Sequence, residues 1–275
     1  RQKKFKRNKS HILYALKHFP CIALLGARQV GKTTLAKSLK KADYYDLEST
    51  THYNLISKDI AFFLSRSSET VILDEAQLLP TLFKELRVHI DKNRKKNGQF
   101  IITGSSSPEL LKNISESLAG RIAIFEIEPL AINEIQNKPR SNFYKNLIEL
   151  TAPKKMKFNE SREAVLNAIF LGGYPEVLLD RTKRFRELWF ENYLRTYVDR
   201  DIRRLFPSLQ LETYQRFIRM LAYSSGELIN QNNYAASLGV SAQTVKNYLQ
   251  IADGTFFFRE LLAFSKHSES RLIKN

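Results

Sequence analysis

One string of residues constrains the fold of this chain more than any other feature. It reads Gly26-Ala27-Arg28-Gln29-Val30-Gly31-Lys32-Thr33 and matches the pattern G-x-x-x-x-G-K-[ST] without deviation. Apolar Ile22–Leu25 before the string predicts a strand, and Thr33–Leu39 after it predicts a helix. The two glycines let the backbone curl closely around a phosphate, and the N–H groups of the loop then point at the anion. The string therefore predicts a phosphate-binding P-loop between a strand and a helix.

The polar positions of the loop predict roles toward a nucleoside triphosphate. Lys32 is expected to reach the β- and γ-phosphates, and Thr33 to offer its hydroxyl to Mg²⁺. The predicted ligand is therefore ATP with Mg²⁺. The residues expected to line the nucleotide are Gly26, Ala27, Arg28, Gln29, Val30, Gly31, Lys32, Thr33 and Thr34.

Short apolar runs alternate with helical patterns through residues 20–135. Short apolar strands between helices predict an α/β fold, the parallel sheet of a P-loop NTPase with helices on both faces. The predicted strands are Cys21–Leu25, Tyr44–Leu47, Thr70–Leu73, Phe100–Thr103 and Arg121–Ile127, and the predicted helices are Gly31–Lys41, Tyr53–Leu64, Thr81–Lys95 and Pro108–Leu118.

A second motif, Val71-Ile72-Leu73-Asp74-Glu75, is an apolar strand that ends in two carboxylates. Asp74 is expected to hold Mg²⁺ together with Thr33, and Glu75 to polarise the attacking water. A glutamate directly after the aspartate is typical of P-loop ATPases that hydrolyse their nucleotide. Glu75 therefore favours an ATPase over a nucleotide kinase.

Small polar residues follow the strand Phe100–Thr103. If that strand lies between the first and the third, these residues face the γ-phosphate, which is the usual sensor position. We predict Ser105 as the sensor, with Thr103 and Ser106 as alternatives. Two arginines are candidates for neutralising charge in the transition state. Arg121 is the first, from the same chain or from a neighbour in a homo-oligomer, and Arg200 is the second.

The charge of the chain indicates its partners. Lys and Arg number 44 against 28 Asp and Glu, a formal net charge of +16. Residues 1–18 hold seven basic and no acidic side chains, and residues 181–204 hold eight basic and four acidic ones. Such clusters attract polyanions, nucleic acid among them. Solubility alone is the alternative explanation of the excess.

The cysteine and apolar content of the sequence constrain the cellular compartment of the protein. Cys21 is the single cysteine, so an internal disulfide is excluded, and the five histidines are scattered. No transition-metal site is expected from that set. No apolar run approaches the ~20 residues that span a bilayer. We therefore expect a cytoplasmic protein without membrane contact.

Residues 226–250 predict a helix-turn-helix. Tyr234–Leu238 is a short helix, Gly239 takes the left-handed turn, and Ser241 caps the second helix. Val245 and Leu249 are predicted to face inward. Apolar Thr255–Leu262 after Asp253-Gly254 predicts a strand, and hence a wing. The side chains predicted to face outward are Gln243, Thr244, Lys246, Asn247 and Gln250.

Two interpretations of this module stay open. The outward side chains near Lys246 and Asn247 contact duplex DNA, as in other helix-turn-helix proteins. Alternatively, the module packs as part of an ATPase lid or contacts another protein. The sequence does not decide between them.

Taken together, the motifs resemble a known family. It is the group of prokaryotic AAA-superfamily ATPases whose C-terminal region is a domain of unknown function with a restriction-nuclease-like fold. The resemblance implies an ATPase core, a small helical lid and a winged helix. The strings that carry it are Gly26–Thr34, Leu73-Asp74-Glu75-Ala76-Gln77, Thr103-Gly104-Ser105-Ser106, Leu118-Ala119-Gly120-Arg121, Gly172-Gly173-Tyr174-Pro175-Glu176 and Leu238-Gly239-Val240-Ser241.

The resemblance also suggests a division of the chain. We expect an ATPase core at 1–136, a connection and helical lid at 137–206, a winged helix-turn-helix at 207–264 and the start of a truncated C-terminal domain at 265–275. The family continues past the region like Arg271–Lys274 into the nuclease-like domain, and here the sequence stops at Asn275. No nuclease activity is therefore expected.

The predicted function is Mg-dependent ATP binding and hydrolysis coupled to the lid and the winged helix, with DNA as one of the two open partners of that module. The alternative is a DNA-binding regulator that uses ATP as a conformational switch with little turnover. A small-molecule kinase is a weaker third hypothesis, because the sequence has no recognisable acceptor site.

Overall fold

A computed structural model describes residues 5–67, 69–105, 108–139, 162–180, 182–203 and 206–261. The chain divides into two compact units, Arg1–Leu205 and Phe206–Asn275. Each unit has its own core and is described by itself. Among the described residues, no helix is both long enough and apolar enough to cross a membrane.

The first unit is built on a five-stranded parallel sheet of order β2-β3-β4-β1-β5. All residues of β1, β3 and β4 are buried. Since successive side chains point to opposite faces, both faces of these strands are covered. The strands are β1 Cys21–Leu25, β2 Ala42–Asp46, β3 Thr70–Asp74, β4 Phe100–Gly104 and β5 Ile122–Glu126.

Helices cover the sheet and continue beyond it. A 3₁₀ turn, Ala76–Leu78, follows β3, and a π-helical segment, Tyr197–Ile202, extends the last helix of the unit. The helices of the first unit are α1 Ser10–His18, α2 Lys32–Lys37, α3 Thr50–Ser57, α4 Ile60–Arg66, α5 Leu82–Lys92, α6 Pro108–Leu118, α7 Ile132–Ile135, α8 Arg162–Leu171, α9 Pro175–Leu179 and α10 Lys183–Thr196.

Helix α5 shows how the apolar pattern produces this packing. Its buried residues, Leu82, Phe83, Leu86 and Ile90, recur at helical spacing and form one stripe. Burying one such side chain contributes about 1.5–3 kcal/mol relative to leaving it exposed. The opposite face of the helix carries charged residues, so α5 has a single orientation that satisfies both faces.

The parallel sheet is confirmed, and β4 lies between β1 and β3, which is the arrangement that the sensor prediction requires. One predicted helix, Tyr53–Leu64, is wrong as a continuous element. It is two helices, because the Asp59 carboxylate accepts a hydrogen bond from the N–H of Phe62 at 2.8 Å and starts α4 there. Aspartate satisfies the free N–H groups of a first helical turn in this way, and the chain bends before it.

The second unit contains three helices, α11 Leu211–Tyr223, α12 Gln231–Leu238 and α13 Ala242–Gly254. Gly239 between α12 and α13 has φ 70°, and the Ser241 hydroxyl accepts a hydrogen bond from the N–H of Thr244 at 3.1 Å. The turn and the cap therefore agree with the sequence prediction. The core of the unit is aromatic and joins all three helices through Tyr214, Phe217, Tyr234 and Tyr248.

The predicted wing strand is wrong over Thr255–Leu261, where the structure describes no strand. Asp253-Gly254 is the end of α13 rather than a turn into a strand. The Ala252 carbonyl accepts hydrogen bonds from the N–H groups of Phe257 and Phe258 at 2.9 and 3.2 Å. Those bonds curl the chain back over the helix end, as in other helix C-caps. Leu262 and the segment 265–275 lie outside the described residues.

Candidate nucleotide site

The P-loop begins where β1 ends, at the carboxyl edge of the sheet. Gly26 is buried, and a Cβ built on it overlaps the carbonyl oxygen of Ile127 and lies 3.1 Å from the carbonyl carbon. The N–H of Ile127 donates to the Leu25 carbonyl at 2.6 Å. Glycine at position 26 is therefore required by the approach of a neighbouring backbone, in addition to any ligand.

Lys32 lies inside the curve of the loop. Gly31 before it has φ 92°, a left-handed conformation that favours glycine. The Lys32 ammonium donates to the carbonyls of Gly26 and Ala27 at 3.0 and 2.8 Å, and the residue is only 5% exposed. The loop thus encloses a cation, and an anion of phosphate size fits this chemistry.

The Asp74 carboxylate is the centre of a hydrogen-bond network at the end of β3. It accepts from the Thr33 hydroxyl at 2.7 Å, from the Tyr44 hydroxyl at 2.8 Å and from the Thr103 hydroxyl. The predicted metal residues, Thr33 and Asp74, are therefore in direct contact. A hydroxyl beside a carboxylate is the oxygen-donor set that Mg²⁺ takes, so these residues fit the ion.

Tyr44 in this network was not foreseen from the sequence. It lies on β2, beside β3, and its ring carries the Lys37 ammonium 3.3 Å from the ring centroid. Burial first, and then the hydrogen bond to Asp74, raise the pKa of Tyr44 above its ordinary value. The phenol therefore stays protonated and donates to the carboxylate. The sequence signal that could have found Tyr44 is its position on β2, because residues on the strand next to β3 lie near Asp74.

Glu75 directly follows Asp74 and has an unusual backbone conformation. Its φ is 56° and its ψ is 44°, in the left-handed region that a non-glycine residue seldom adopts. The side-chain amide of Gln77 donates to its carboxylate. The proposed base is therefore fixed both by its backbone and by a neighbour two residues on.

The sensor candidates end β4. Thr103 is fully buried and bonds to Asp74, and Ser105 is half-buried just beyond the end of the strand. Ser106 lies outside the described residues. The structure thus brings Thr103 into the network, and the sensor role of Ser105 stays a prediction.

Arg7 binds the P-loop from the N-terminal segment. Its guanidinium donates to the Val30 carbonyl at 2.6 Å and forms an ion pair with Glu134 at 3.2 Å. Burial lowers the pKa of Arg7, against the opposing effect of the Glu134 charge. The sequence gave no signal for this contact, because Arg7 is one of seven basic residues in its segment and its partner is distant in the chain.

The turn Gly172-Gly173-Tyr174-Pro175 also borders the loop. The Pro175 ring lies 3.9 Å from the position of a Cβ on Gly31, and the Tyr193 hydroxyl donates to the Arg28 carbonyl at 3.4 Å. Tyr193 stacks on Trp189 with ring centroids 5.0 Å apart. The C-terminal half of the first unit therefore contacts the P-loop through an aromatic stack.

Two family models match the chain. Residues 18–136 match one described as an AAA domain, and residues 162–275 match one described as a domain of unknown function, DUF8612. The first segment spans the sheet and carries the P-loop, Asp74 and Glu75. Residues 18–136 thus form an AAA-type P-loop domain. Arg7 precedes this AAA domain, and Tyr193 belongs to the second match.

Curated relatives and solved structures are also similar. The uncharacterized proteins Rv2008c of Mycobacterium tuberculosis and Mb2031c of Mycobacterium bovis are 29% identical over 250 residues, covering 90% of this chain and 51% of each relative. The chain thus spans about half the length of these relatives. The Thermotoga maritima RuvB Holliday junction branch migration motor is 21% identical with a TM-score of 0.41, covering 89% of this chain and 86% of that one. The Aeropyrum pernix ORC1 protein in complex with DNA is 14% identical with a TM-score of 0.34, covering 88% and 81%.

Arg121 lies at the opposite edge of the AAA domain from the P-loop. It precedes Ile122, which pairs with Cys21 at the start of β1, and the loop follows Leu25 at the strand's other end. A five-residue strand spans about 13 Å. The guanidinium also pairs with Asp91 at 2.8 and 3.0 Å. Of the two alternatives for Arg121, action within its own chain does not fit this position, and action from a neighbouring chain stays a prediction.

The other predicted residues belong to parts of the chain outside residues 18–136. Arg200 belongs to the π-helical segment Tyr197–Ile202, and its side chain lies outside what the structure describes. Lys246 and Asn247 are exposed on α13 of the second unit, where Gln243 donates to Asn247 at 3.0 Å. Within the described residues, no group of three or more His, Cys, Asp and Glu side chains could hold a metal ion.

Proposed function

We propose that this chain binds Mg-ATP in its AAA domain and hydrolyses it. The observation that carries the proposal is the contact of Thr33 with Asp74 at 2.7 Å, directly before Glu75 and beside an intact P-loop. Binding alone needs the loop and Lys32. Glu75 is a second carboxylate that directly follows Asp74 and has its own orientation, and it supports hydrolysis as well.

Each residue has a separate task in the proposed reaction. The Lys32 ammonium and the loop N–H groups bind the phosphate oxygens. Thr33 and Asp74 hold Mg²⁺, which when bound offsets the charge of the phosphates. Glu75 accepts the proton of the attacking water, and Thr103 or Ser105 contacts the γ-phosphate. Arg121 of a neighbouring chain in a homo-oligomer supplies further positive charge.

Two substitutions test this function by ATP turnover and by nucleotide affinity. Lys32→Ala is expected to abolish both, and Glu75→Gln to retain binding while slowing single-turnover hydrolysis by about 10²–10⁴-fold. Lys84→Ala, on the exposed face of α5, is the matched control and is expected to leave both unchanged. Parental turnover by a folded Glu75→Gln variant would refute Glu75 as the base. If the parental protein binds ATP tightly but hydrolyses it negligibly, the alternative of a regulator that uses ATP as a conformational switch would be favoured.

We also propose duplex DNA as a partner of the second unit. The specific observation is the left-handed turn at Gly239 followed by α13, on which Gln243, Lys246 and Asn247 are exposed while Val245 is buried. A helix with this arrangement fits the major groove. The competing hypothesis, a protein-contact module, uses the same surface.

Fluorescence anisotropy with duplex DNA at several salt concentrations separates the two hypotheses. Phosphate contacts make affinity fall steeply with salt, and Lys246→Ala should reduce the salt slope by about one. Lys84→Ala serves again as the control. Absence of binding at low salt, with and without ATP, would leave α13 as a protein-contact element.

A further inference from the structure

Gln77 is placed to act on Glu75. After Glu75 the chain makes one 3₁₀ turn, Ala76–Leu78, and this turn folds the Gln77 side chain back toward β3. Its amide nitrogen Nε2 donates to the carboxylate oxygen Oε2 of Glu75. An ionised carboxylate only accepts hydrogen bonds and an amide nitrogen only donates them, so the orientation of the amide follows from the bond.

The other end of the Gln77 amide is held in an unfavourable position. Its oxygen Oε1 is buried without a hydrogen-bond partner in the described structure. It lies against Gly104, where a Cβ would overlap it and would also lie 2.8 Å from Leu110. Buried acceptors without partners are uncommon because they lose their bonds to water. Gly104 thus makes room for an amide that gains nothing from this pocket except its bond to Glu75.

The bond restricts Glu75 in a useful way. The left-handed backbone of Glu75 fixes where its side chain starts, and the Gln77 amide occupies Oε2. The second carboxylate oxygen, Oε1, is left to accept a proton. A base held in one orientation loses less freedom on reaching the transition state than one that rotates.

We propose that Gln77 is a positioning residue that holds the Glu75 carboxylate in the orientation from which it activates the attacking water. The inference rests on the proposed ATPase function. In this role Gln77 is assigned no contact with the nucleotide or the water, and it acts through Glu75.

Gln77→Met tests the proposal, because methionine keeps the length of the side chain and removes both the donor and the unpartnered acceptor. The expected kcat falls by roughly 10-fold or more, a part of the 10²–10⁴ that a general base supplies. ATP affinity stays within about twofold. The thermal midpoint changes little, because removing a buried acceptor that had no partner offsets the lost hydrogen bond to Glu75. The matched control is Gln99→Met, whose side chain donates to the Lys96 carbonyl before β4 begins, and it should retain parental kcat.

A double-mutant cycle with Glu75→Gln decides whether Gln77 acts through Glu75. If it does, Gln77→Met causes no further loss in the Glu75→Gln background, whereas an independent structural effect adds to it. Equal loss in both backgrounds, or a faster Gln77→Met enzyme, would overturn the inference while leaving the ATPase proposal intact. Parental hydrolysis by Glu75→Gln would refute the proposed base and, with it, this inference.

Discussion

Gly26→Ala tests whether the P-loop depends on the close approach of Ile127. The Cβ that alanine adds overlaps the Ile127 carbonyl oxygen and lies 3.1 Å from the carbonyl carbon and 3.4 Å from the nitrogen. These are backbone atoms, and a side chain could not rotate to relieve the overlap. The Ile127 N–H is already bonded to the Leu25 carbonyl at 2.6 Å, so a shift of Ile127 also weakens the last bond between β1 and the segment after β5.

The expected cost follows from those two effects. Overpacking of a buried position costs about 1–3 kcal/mol, and a weakened backbone hydrogen bond adds about 1 kcal/mol. Gly26→Ala should therefore lower the free energy of unfolding of the first unit by about 2–4 kcal/mol. For a protein of this size each kcal/mol corresponds to roughly 2–4 °C. The midpoint of thermal unfolding should fall by roughly 4–16 °C.

Differential scanning calorimetry measures the expected loss of stability. An ATP-binding titration measures the loss of ATP affinity that we expect from the displaced loop. The control is Gly254→Ala at the end of α13, where an added Cβ meets no atom within 4 Å and φ is not positive. That variant should be neutral or more stable by up to about 1 kcal/mol, because alanine favours helix. Parental stability and parental ATP affinity in Gly26→Ala would refute the reasoning.

Three further predictions concern contacts of the site. Tyr44→Phe removes a donor to the buried Asp74 carboxylate and should cost about 1–2 kcal/mol of stability at pH 7 by urea unfolding. The pKa of Tyr44 is raised by burial and by that bond, so its contribution is present below about pH 10 and is lost as the pH rises toward the folded value; the variant should lose stability less steeply there. Arg7→Met removes the donor to Val30 and should cost about 1.5–3 kcal/mol and weaken ATP binding. Arg121→Ala should slow turnover by roughly 10³–10⁵-fold if a neighbouring chain supplies this residue.

Each has a matched control. Tyr45→Phe is the control on the same strand, next to Phe63. Its hydroxyl is not among the donors to Asp74, so the stability of this variant at pH 7 should stay close to the parental value. Arg94→Met breaks a surface pair with Asp91 at 71% exposure of the arginine and should cost under about 1 kcal/mol. Mixing Arg121→Ala with Lys32→Ala should restore turnover in oligomers. Mixtures as inactive as their components would contradict action between chains.

Local patterns predicted the sheet because most of its strands are short apolar runs between breaks. The P-loop, Asp74 and Glu75 were equally accessible, since their roles depend on neighbours within a few residues. The split at Asp59 was missed because an aspartate inside an amphipathic pattern is also compatible with a helix surface. The strand from Thr255 was wrong because three successive phenylalanines favour strand, whereas the Ala252 carbonyl ends the helix with a turn.

Contacts between distant segments were the part that the sequence did not show. Arg7 meets Glu134 across 127 positions, and Tyr44 meets Asp74 across 30. No periodicity or motif links such pairs, because they result from the way the strands and segments are brought together. Arg121 illustrates the opposite case, since its motif suggested the γ-phosphate and the direction of β5 places it at the other edge.

The aromatic stack beside the P-loop has an optical consequence. Trp189 is the one tryptophan of the chain, and its ring lies 5.0 Å from Tyr193 at an interplanar angle of 11°. Tyr193 in turn donates to the Arg28 carbonyl of the loop. Indole emission depends on its immediate surroundings, so a rearrangement of the loop around phosphate would reach the fluorophore through a single intervening ring. We therefore expect Trp189 to report on the P-loop, so that the proposed nucleotide binding could be followed by its emission without an attached dye.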